Sequence, residues 1–333
     1  MTEKIGVIGA GAWGTALAML LADQGQDVTL WMYEKDLAEE MARTRENRVY
    51  LPGFTLPPSI AVTSSLESAV KDKSLLLSVV PSHTVRTVTK QYATFLPKNA
   101  VIVSASKGIE IDTLMPLSEI FKDVLSREFH SRLCFLSGPS FAKEVAQKMP
   151  TAITLACYDP AIGKRAQEVL SNSYFRVYTN QDVIGVELAG SLKNVVAIAA
   201  GALEGMGFGY NTTAALLTRG LAEMARLGAA MGGKPATFSG LAGMGDLVLT
   251  CTGGLSRNRT LGTRLGKGEK LDAIMKGAKT VAEGVKTSKA ARDLARKFNI
   301  EMPIVDEVYQ ILYEGKDPRL ALKDLMTREL KEE

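Results

Sequence analysis

The chain has 333 residues, 46% hydrophobic and 23% charged, with 40 Lys and Arg against 36 Asp and Glu for a formal net charge of +4. At roughly 150 residues per domain this length predicts about two domains, and the composition excludes disorder, a collagen-like repeat and a disulfide scaffold. The small positive excess forms no block, which argues against the basic stripe or tail of a nucleic-acid binder.

The first strand-like run, Lys4–Ile8, is short and apolar and ends at a glycine turn. Asp27–Tyr33 follows one helical segment later, and Ile60–Thr63, Ser74–Val80, Ala100–Ala105, Leu133–Ser137, Ala152–Ala156 and Phe175–Tyr178 continue the series. Such apolar runs, alternating with helical segments, predict the buried parallel strands of a βαβ sheet. Beyond Asn180 the strand-like runs stop, and helices broken by the glycine-rich turns GMGFGYN, GGKP, GLAGMGD and CTGG follow. The fold class is therefore α/β: an N-terminal Rossmann-type doubly wound sheet over residues 1–182, then an all-helical domain over residues 183–333. The charged tail KDLMTRELKEE reads as a frayed helix.

Ile5–Ala22 is apolar and follows a lysine, but Gly6, Gly9, Gly11 and Gly14 interrupt it, and Asp23 ends it in place of a cleavage pattern. The apolar run Val195–Leu203 is too short to cross a bilayer. A cytoplasmic protein with no stable membrane insertion is expected. Cys134, Cys157 and Cys251 are sparse, odd in number and without a CxxC pair, so they read as buried small hydrophobes. With only His83 and His130 besides, no metal site is expected.

Gly9-Ala10-Gly11-Ala12-Trp13-Gly14 fits GxGxxG, directly after a strand and at the start of a helical run. Glu34, at the end of the second strand, stands 20 residues beyond Gly14, the usual place for a ribose-binding acid. Gly9 would allow the tight turn, Gly11 the approach of a pyrophosphate, and Gly14 the packing of helix on strand. The helix N-terminus would offer N–H groups and a positive dipole end to the phosphates. Trp13 would either cover the cofactor or pack against the second domain.

Between Glu187 and Glu204 the segment around VELAGSLKNVVAIAAGAL carries one charge, Lys193. A helix apolar on nearly every face is buried, so this lysine needs a partner, a cavity or an exit to solvent. Burial disfavours an ammonium and suits a lysine for acid–base work. Asn194 beside it would orient a substrate hydroxyl or a water. Asp246 and Thr250 are four apart and share a face if a helix starts at Asp246, which otherwise reads as an N-cap. Ser256-Arg257-Asn258 follows a Gly-Gly turn and suits bidentate phosphate binding; a solvated arginine is the alternative. At the carboxyl edge of the sheet stand Val79-Val80-Pro81-Ser82, Ser104–Gly108 with Lys107, and Gly138-Pro139-Ser140, with Pro139 and Ser140 starting a helix.

The chain resembles the bacterial-type NAD(P)-dependent sn-glycerol-3-phosphate dehydrogenases over essentially its whole length. The resemblance is carried by VIGAGAWGTALA, LSVVPS, SASKGIE, SGPSFAKEVA, GVELAGSLKNVVAIAAG, NTTAALLTRGLAEMARLG, AGMGDLVLTCT, SRNR and VAEGVKT. It implies a helical domain of the 6-phosphogluconate-dehydrogenase-like kind, a homodimer, and reversible reduction of dihydroxyacetone phosphate to sn-glycerol 3-phosphate for phospholipid synthesis. It implies that Lys193 donates and accepts the proton. Lys107, Gly138, Ser140, Asp246, Ser256, Arg257 and Asn258 would surround the substrate. Trp13, Tyr33, Lys107, Ala142, Arg257, Val281 and Glu283 would contact NAD(P)H.

Another reductase of this two-domain architecture, such as a hydroxyacid or nucleotide-sugar dehydrogenase, is the runner-up; the nucleotide-sugar reaction would want a catalytic cysteine, for which Cys251 is the only candidate. A redox-sensing module without chemistry is a third reading, against which Lys193, Asp246 and Arg257 argue. Glu34 favours NAD, while Lys35, Arg43, Arg45 and Arg48 would suit a 2′-phosphate, so both cofactors are expected to work.

Overall fold

The computed structural model describes residues 2–276, 282–330 and 332. Its strands are Lys4–Ile8 (β1), Asp27–Trp31 (β2), Glu46–Asn47 (β3), Leu51–Thr55 (β4), Ile60–Thr63 (β5), Leu75–Ser78 (β6), Val101–Ser104 (β7), Leu133–Ser137 (β8), Thr151–Cys157 (β9) and Phe175–Asn180 (β10). Two compact units divide the chain, one of Met1–Lys107 with Met115–Glu187, the other of Gly108–Leu114 with Leu188–Glu333.

In the first unit eight strands form one sheet in the order β10-β9-β8-β7-β6-β1-β2-β5. Every residue of β6, β7 and β8 is buried, as expected of strands covered on both faces. The order runs outward from β1 through β2 to β5 and then returns to β6, so the topological switch point lies between β1 and β6. Crevices for ligands open at such points, beyond the carboxyl ends of the strands.

The first unit differs from the sequence expectation in three respects. The strands are not all parallel: β9 pairs antiparallel with β8 and parallel with β10. The β8–β9 connection holds one five-residue helix, Ala142–Ala146. At roughly 1.5 Å rise per residue this helix is too short to carry the chain back for a parallel return. That helix also starts later than expected, with Phe141 as its N-cap, so Pro139 and Ser140 precede it. Finally, β3 and β4 form a two-stranded antiparallel hairpin absent from the sequence reading; Pro52 and Gly53 within β4 hide its strand character.

After Asn180 the described residues form helices joined by turns, with no strand among them. The helix Val183–Gly205 is longer than its apolar run Val195–Leu203 suggests. Its length and mean hydropathy of 1.6 would suffice to cross a bilayer, yet it is almost wholly buried as a core helix. Its glycines permit a close crossing with the helix Arg257–Gly266. A Cβ on Gly201 would lie 2.0 Å from the Arg259 carbonyl oxygen, and one on Gly262 2.0 Å from that of Ile198. This crossing sets the Lys193 helix against the Ser256–Asn258 turn.

Candidate active site

In the first unit the fingerprint loop joins β1 to the helix Ala12–Asp23 (α1). Gly9 has a φ of +117°, and a Cβ there would lie 2.7 Å from the Val79 carbonyl oxygen. A Cβ on Gly14 would lie 1.8 Å from the Gly9 carbonyl oxygen. These two glycines are required by the protein itself. Gly11 is different: its φ of −66° suits any residue, and nothing lies within 4 Å of a Cβ built there. The space beside Gly11 is open, and α1 begins there without a side-chain cap. The first-turn N–H groups of Ala12, Trp13 and Gly14 thus remain for an anion. These features fit the pyrophosphate of a dinucleotide.

Trp13 packs within its own unit, with its ring centroid 6.4 Å from that of Phe175. Beyond β2, Tyr33 is 80% exposed and edge-on to Trp31. Glu34 is the N-cap residue of the helix Lys35–Thr44 (α2), and its carboxylate accepts from the Tyr50 hydroxyl at 3.0 Å. Of the cations near it, Lys35 pairs with Glu39, Arg48 with Glu40 and Glu46, and Arg45 donates to the Ile60 and Pro57 carbonyls. Arg43 is exposed.

The carboxyl edge is laced together. Ser106 Oγ donates to the Val80 carbonyl at 2.6 Å, linking the loops after β7 and β6. Lys107 Nζ donates to the Gly138 carbonyl at 3.4 Å, and Ser140 Oγ to the same oxygen at 3.1 Å. Lys107, Gly138 and Ser140 therefore form one cluster beyond β7 and β8. Ala142 opens the short helix that follows.

In the second unit Lys193 is 7% exposed. Its Nζ donates to Thr250 Oγ1 at 2.8 Å and, in direct contact, to the Asp246 carboxylate. Asp246 is no N-cap: a π-helical turn, Leu241–Gly245, leads into the helix Asp246–Thr252, and Gly245 holds the cap position. Its carboxylate is thereby left for Lys193, with Thr250 one turn on. Ser256 caps the helix Arg257–Gly266, accepting from the Arg259 N–H at 3.2 Å. Arg257, the first residue of that helix, is exposed and makes no hydrogen bond or ion pair among the described residues.

Asn194 and Asn258 are bonded to each other. Asn258 Nδ2 donates to Asn194 Oδ1 at 2.9 Å, and Asn258 Oδ1 accepts from the Gly284 N–H at 2.9 Å. They tie the Lys193 helix to the start of the helix Glu283–Lys297, whose first residue is the cofactor candidate Glu283. Val281 lies outside the described residues. Burial pushes the Cys251 thiol up to about 12, which removes the nucleophile a nucleotide-sugar dehydrogenase would need. Among the described residues no group of His, Cys, Asp or Glu is placed to hold a metal ion.

Sequence reasoning missed Asn47 and Tyr50, which reach the fingerprint loop and Glu34 from the β3–β4 hairpin. No periodicity marks them; an asparagine in RENRVYLPG reads only as a turn residue.

A dinucleotide loop at a switch point, with a buried lysine held by a carboxylate in a helical unit, defines a two-unit nicotinamide-dependent dehydrogenase. Family models described as the NAD-dependent glycerol-3-phosphate dehydrogenase N-terminus and C-terminus match residues 4–162 and 182–323. The chain belongs to the NAD-dependent glycerol-3-phosphate dehydrogenase family. It is 57% identical over 333 residues to the glycerol-3-phosphate dehydrogenase (NAD(P)+) of Geobacter sp. (strain M21), covering 100% of this chain and 99% of that one. Its structure is similar to the crystal structure of glycerol-3-phosphate dehydrogenase from Coxiella burnetii, with a TM-score of 0.94, 40% identity, and coverage of 98% and 99% of the two chains. A ketopantoate reductase from Ralstonia eutropha shares the fold, with a TM-score of 0.62 at 15% identity, covering 97% of this chain and 99% of that one. The architecture is thus the 6-phosphogluconate-dehydrogenase-like one.

Proposed function

We propose that this chain reversibly reduces dihydroxyacetone phosphate to sn-glycerol 3-phosphate with NAD(P)H, supplying the head-group precursor of glycerophospholipids. The observation that carries the reading is the buried Lys193, held by Asp246 and Thr250 in a chain of this family. When bound, the reduced nicotinamide supplies the hydride. Lys193 Nζ then delivers a proton to the alkoxide oxygen as charge develops on it, and takes it back in the reverse direction. Asp246 and Thr250 fix where that nitrogen points, so no reorganisation is needed at the moment of transfer.

Arg257, exposed and without a hydrogen-bond or ion-pair partner among the described residues, holds the substrate phosphate. The family resemblance assigns Lys107, Gly138 and Ser140 to the substrate as well. The loop Gly9–Gly14 holds the cofactor pyrophosphate, with Glu34 at the ribose and Tyr33 and Ala142 as further contacts within the same unit. Val281 and Glu283 are cofactor residues by the family resemblance alone. The family resemblance supports a cytoplasmic homodimer, for which sedimentation equilibrium is the check.

The test is turnover of NADH or NADPH, followed by nicotinamide absorbance, on dihydroxyacetone phosphate and on dihydroxyacetone. Arg257→Ala removes charge-assisted hydrogen bonds of roughly 1.5–3 kcal/mol each, so activity on the phosphorylated ketone should fall far more than on the other. Equal losses on both substrates place Arg257 away from the phosphate.

A further inference from the structure

Asn47 is 2% exposed, and all its side-chain polar atoms are used. Its Oδ1 accepts from the Tyr50 N–H at 3.1 Å, which fixes the sense of the carboxamide. Its Nδ2 therefore faces inward and donates to the Ala10 carbonyl at 2.8 Å and to Thr15 Oγ1 at 2.8 Å. Thr15 Oγ1 in turn donates to the same Ala10 oxygen at 3.4 Å. The Ala10 carbonyl belongs to the peptide that carries the Gly11 N–H. That peptide is trans, so its C=O and N–H point in opposite directions. Drawing the oxygen toward Asn47 aims the N–H the other way, away from Asn47; a Cβ built on Gly11 would likewise meet nothing within 4 Å, so the loop is open beside this peptide.

We infer that Asn47 is a positioning residue for the cofactor: it sets the Ala10–Gly11 peptide so that the Gly11 N–H is presented to the dinucleotide pyrophosphate. The inference rests on the reading of Gly9–Gly14 as the NAD(P)H loop. The hairpin supplies the rigidity this role needs. Glu46 accepts from the Gly53 N–H at 2.8 Å across it, and the Leu56 N–H donates to the Arg45 carbonyl at 2.7 Å just beyond it. The same segment sends Tyr50 to Glu34, so one hairpin braces both the pyrophosphate and the ribose ends of the candidate cofactor site. A bare unbraced peptide would have to be turned at each binding event, and its orientation would be drawn from the free energy of binding.

The test uses Asn47→Asp in the full-length chain. The change keeps the size and the acceptor for Tyr50 but replaces the Nδ2 donor with an oxygen that repels the Ala10 carbonyl. Calorimetric titration should show NADH binding weakened by about tenfold, equivalent to about 1.4 kcal/mol. KM for NADH should rise in step, while kcat and KM for dihydroxyacetone phosphate at saturating NADH stay within about twofold of wild type. Thr15→Val, which removes one of the two donors to Ala10 without changing shape, should weaken NADH by about threefold and carries the test if Asn47→Asp does not fold. Unchanged NADH affinity in the folded variant, or equal losses in kcat and both KM values, overturns the role. A wild-type chain that binds no NADH removes the underlying reading, and the inference falls with it.

Discussion

Lys193 and Asp246 meet as a buried ion pair, one from the helix Val183–Gly205 and the other from the first residue of the helix Asp246–Thr252. Asp246 is 1% exposed, so the two charges depend on each other. From sequence alone a methionine at 193 looks harmless to the fold, because it suits an apolar helix. The structure reverses that expectation. Lys193→Met strands a buried carboxylate, a change that typically costs roughly 3–5 kcal/mol. It should also lower kcat by on the order of 100- to 10,000-fold, the usual worth of a general acid. Adding Asp246→Asn should recover most of the stability in urea melts and none of the activity. A double variant that stays as unstable as Lys193→Met, or a single variant with near wild-type kcat, sinks the assignment.

Gly11 and Gly14 should answer differently to alanine. A Cβ on Gly14 would lie 1.8 Å from the Gly9 carbonyl oxygen, so Gly14→Ala must shift backbone and should lower the melting temperature by several degrees. At Gly11 nothing in the protein resists a Cβ, and φ is already −66°. Gly11→Ala should melt like wild type and lose affinity for both NADH and NADPH by tenfold or more, or roughly 1.4 kcal/mol. Full cofactor affinity in Gly11→Ala would place the pyrophosphate elsewhere.

Cofactor choice should turn on Glu34. Its carboxylate is held by Tyr50 at 3.0 Å, while Lys35, Arg45 and Arg48 are engaged elsewhere, so the nearby cations do not cancel it. Wild type should use both cofactors with no preference beyond about tenfold, or roughly 1.4 kcal/mol. Glu34→Gln relieves repulsion of a 2′-phosphate and should move the kcat/KM ratio toward NADPH. Tyr50→Phe, which frees the carboxylate, should move it in the same direction but less. Unchanged ratios in both variants would mean that Tyr33 and backbone groups decide the preference.

Glu187 should make stability fall with pH. Burial raises its carboxyl from 4.5 to about 8, even though the Ser118 N–H donates to it at 2.9 Å. Between those two pH values the folded chain keeps a proton that the unfolded chain has released. The stabilisation is therefore complete below about pH 4.5 and is lost as pH rises toward 8. Glu187→Gln should match wild type at the acidic end and melt progressively higher than wild type as the pH approaches 8. Melting curves that stay parallel across this range would show that Glu187 ionises normally.

The legible parts of this chain were those in which one stretch of sequence carries the whole reason for a structure. GAGAWG is such a stretch: its turn and the close approach of Gly14 to Gly9 are local, although the Val79 carbonyl that crowds Gly9 comes from beyond β6. Lys193 was legible because a single charge in an apolar helix needs an explanation wherever it occurs. Strand direction was not legible, since hydropathy is the same whichever way β9 runs. Asn47 and Tyr50 were invisible because their partners, Ala10 and Glu34, lie 37 and 16 residues away along the chain and are met only when the hairpin folds back. The bond between Asn194 and Asn258 was not legible, since it depends on a helix crossing that no motif records.

The chain has two tryptophans, Trp13 in the first turn of α1 and Trp31 at the carboxyl end of β2, where its indole N–H is donated to the Ser64 carbonyl at 3.0 Å. Both stand beside the glycine loop, and the second unit has none. Indole emission overlaps the absorption of reduced nicotinamide, so the chain carries its own energy-transfer donor for NADH and needs no label. The same placement makes the helical unit optically silent at tryptophan wavelengths. If the two units melt separately, fluorescence will follow the sheet alone while far-ultraviolet circular dichroism follows both, and the gap between the two curves will measure their independence.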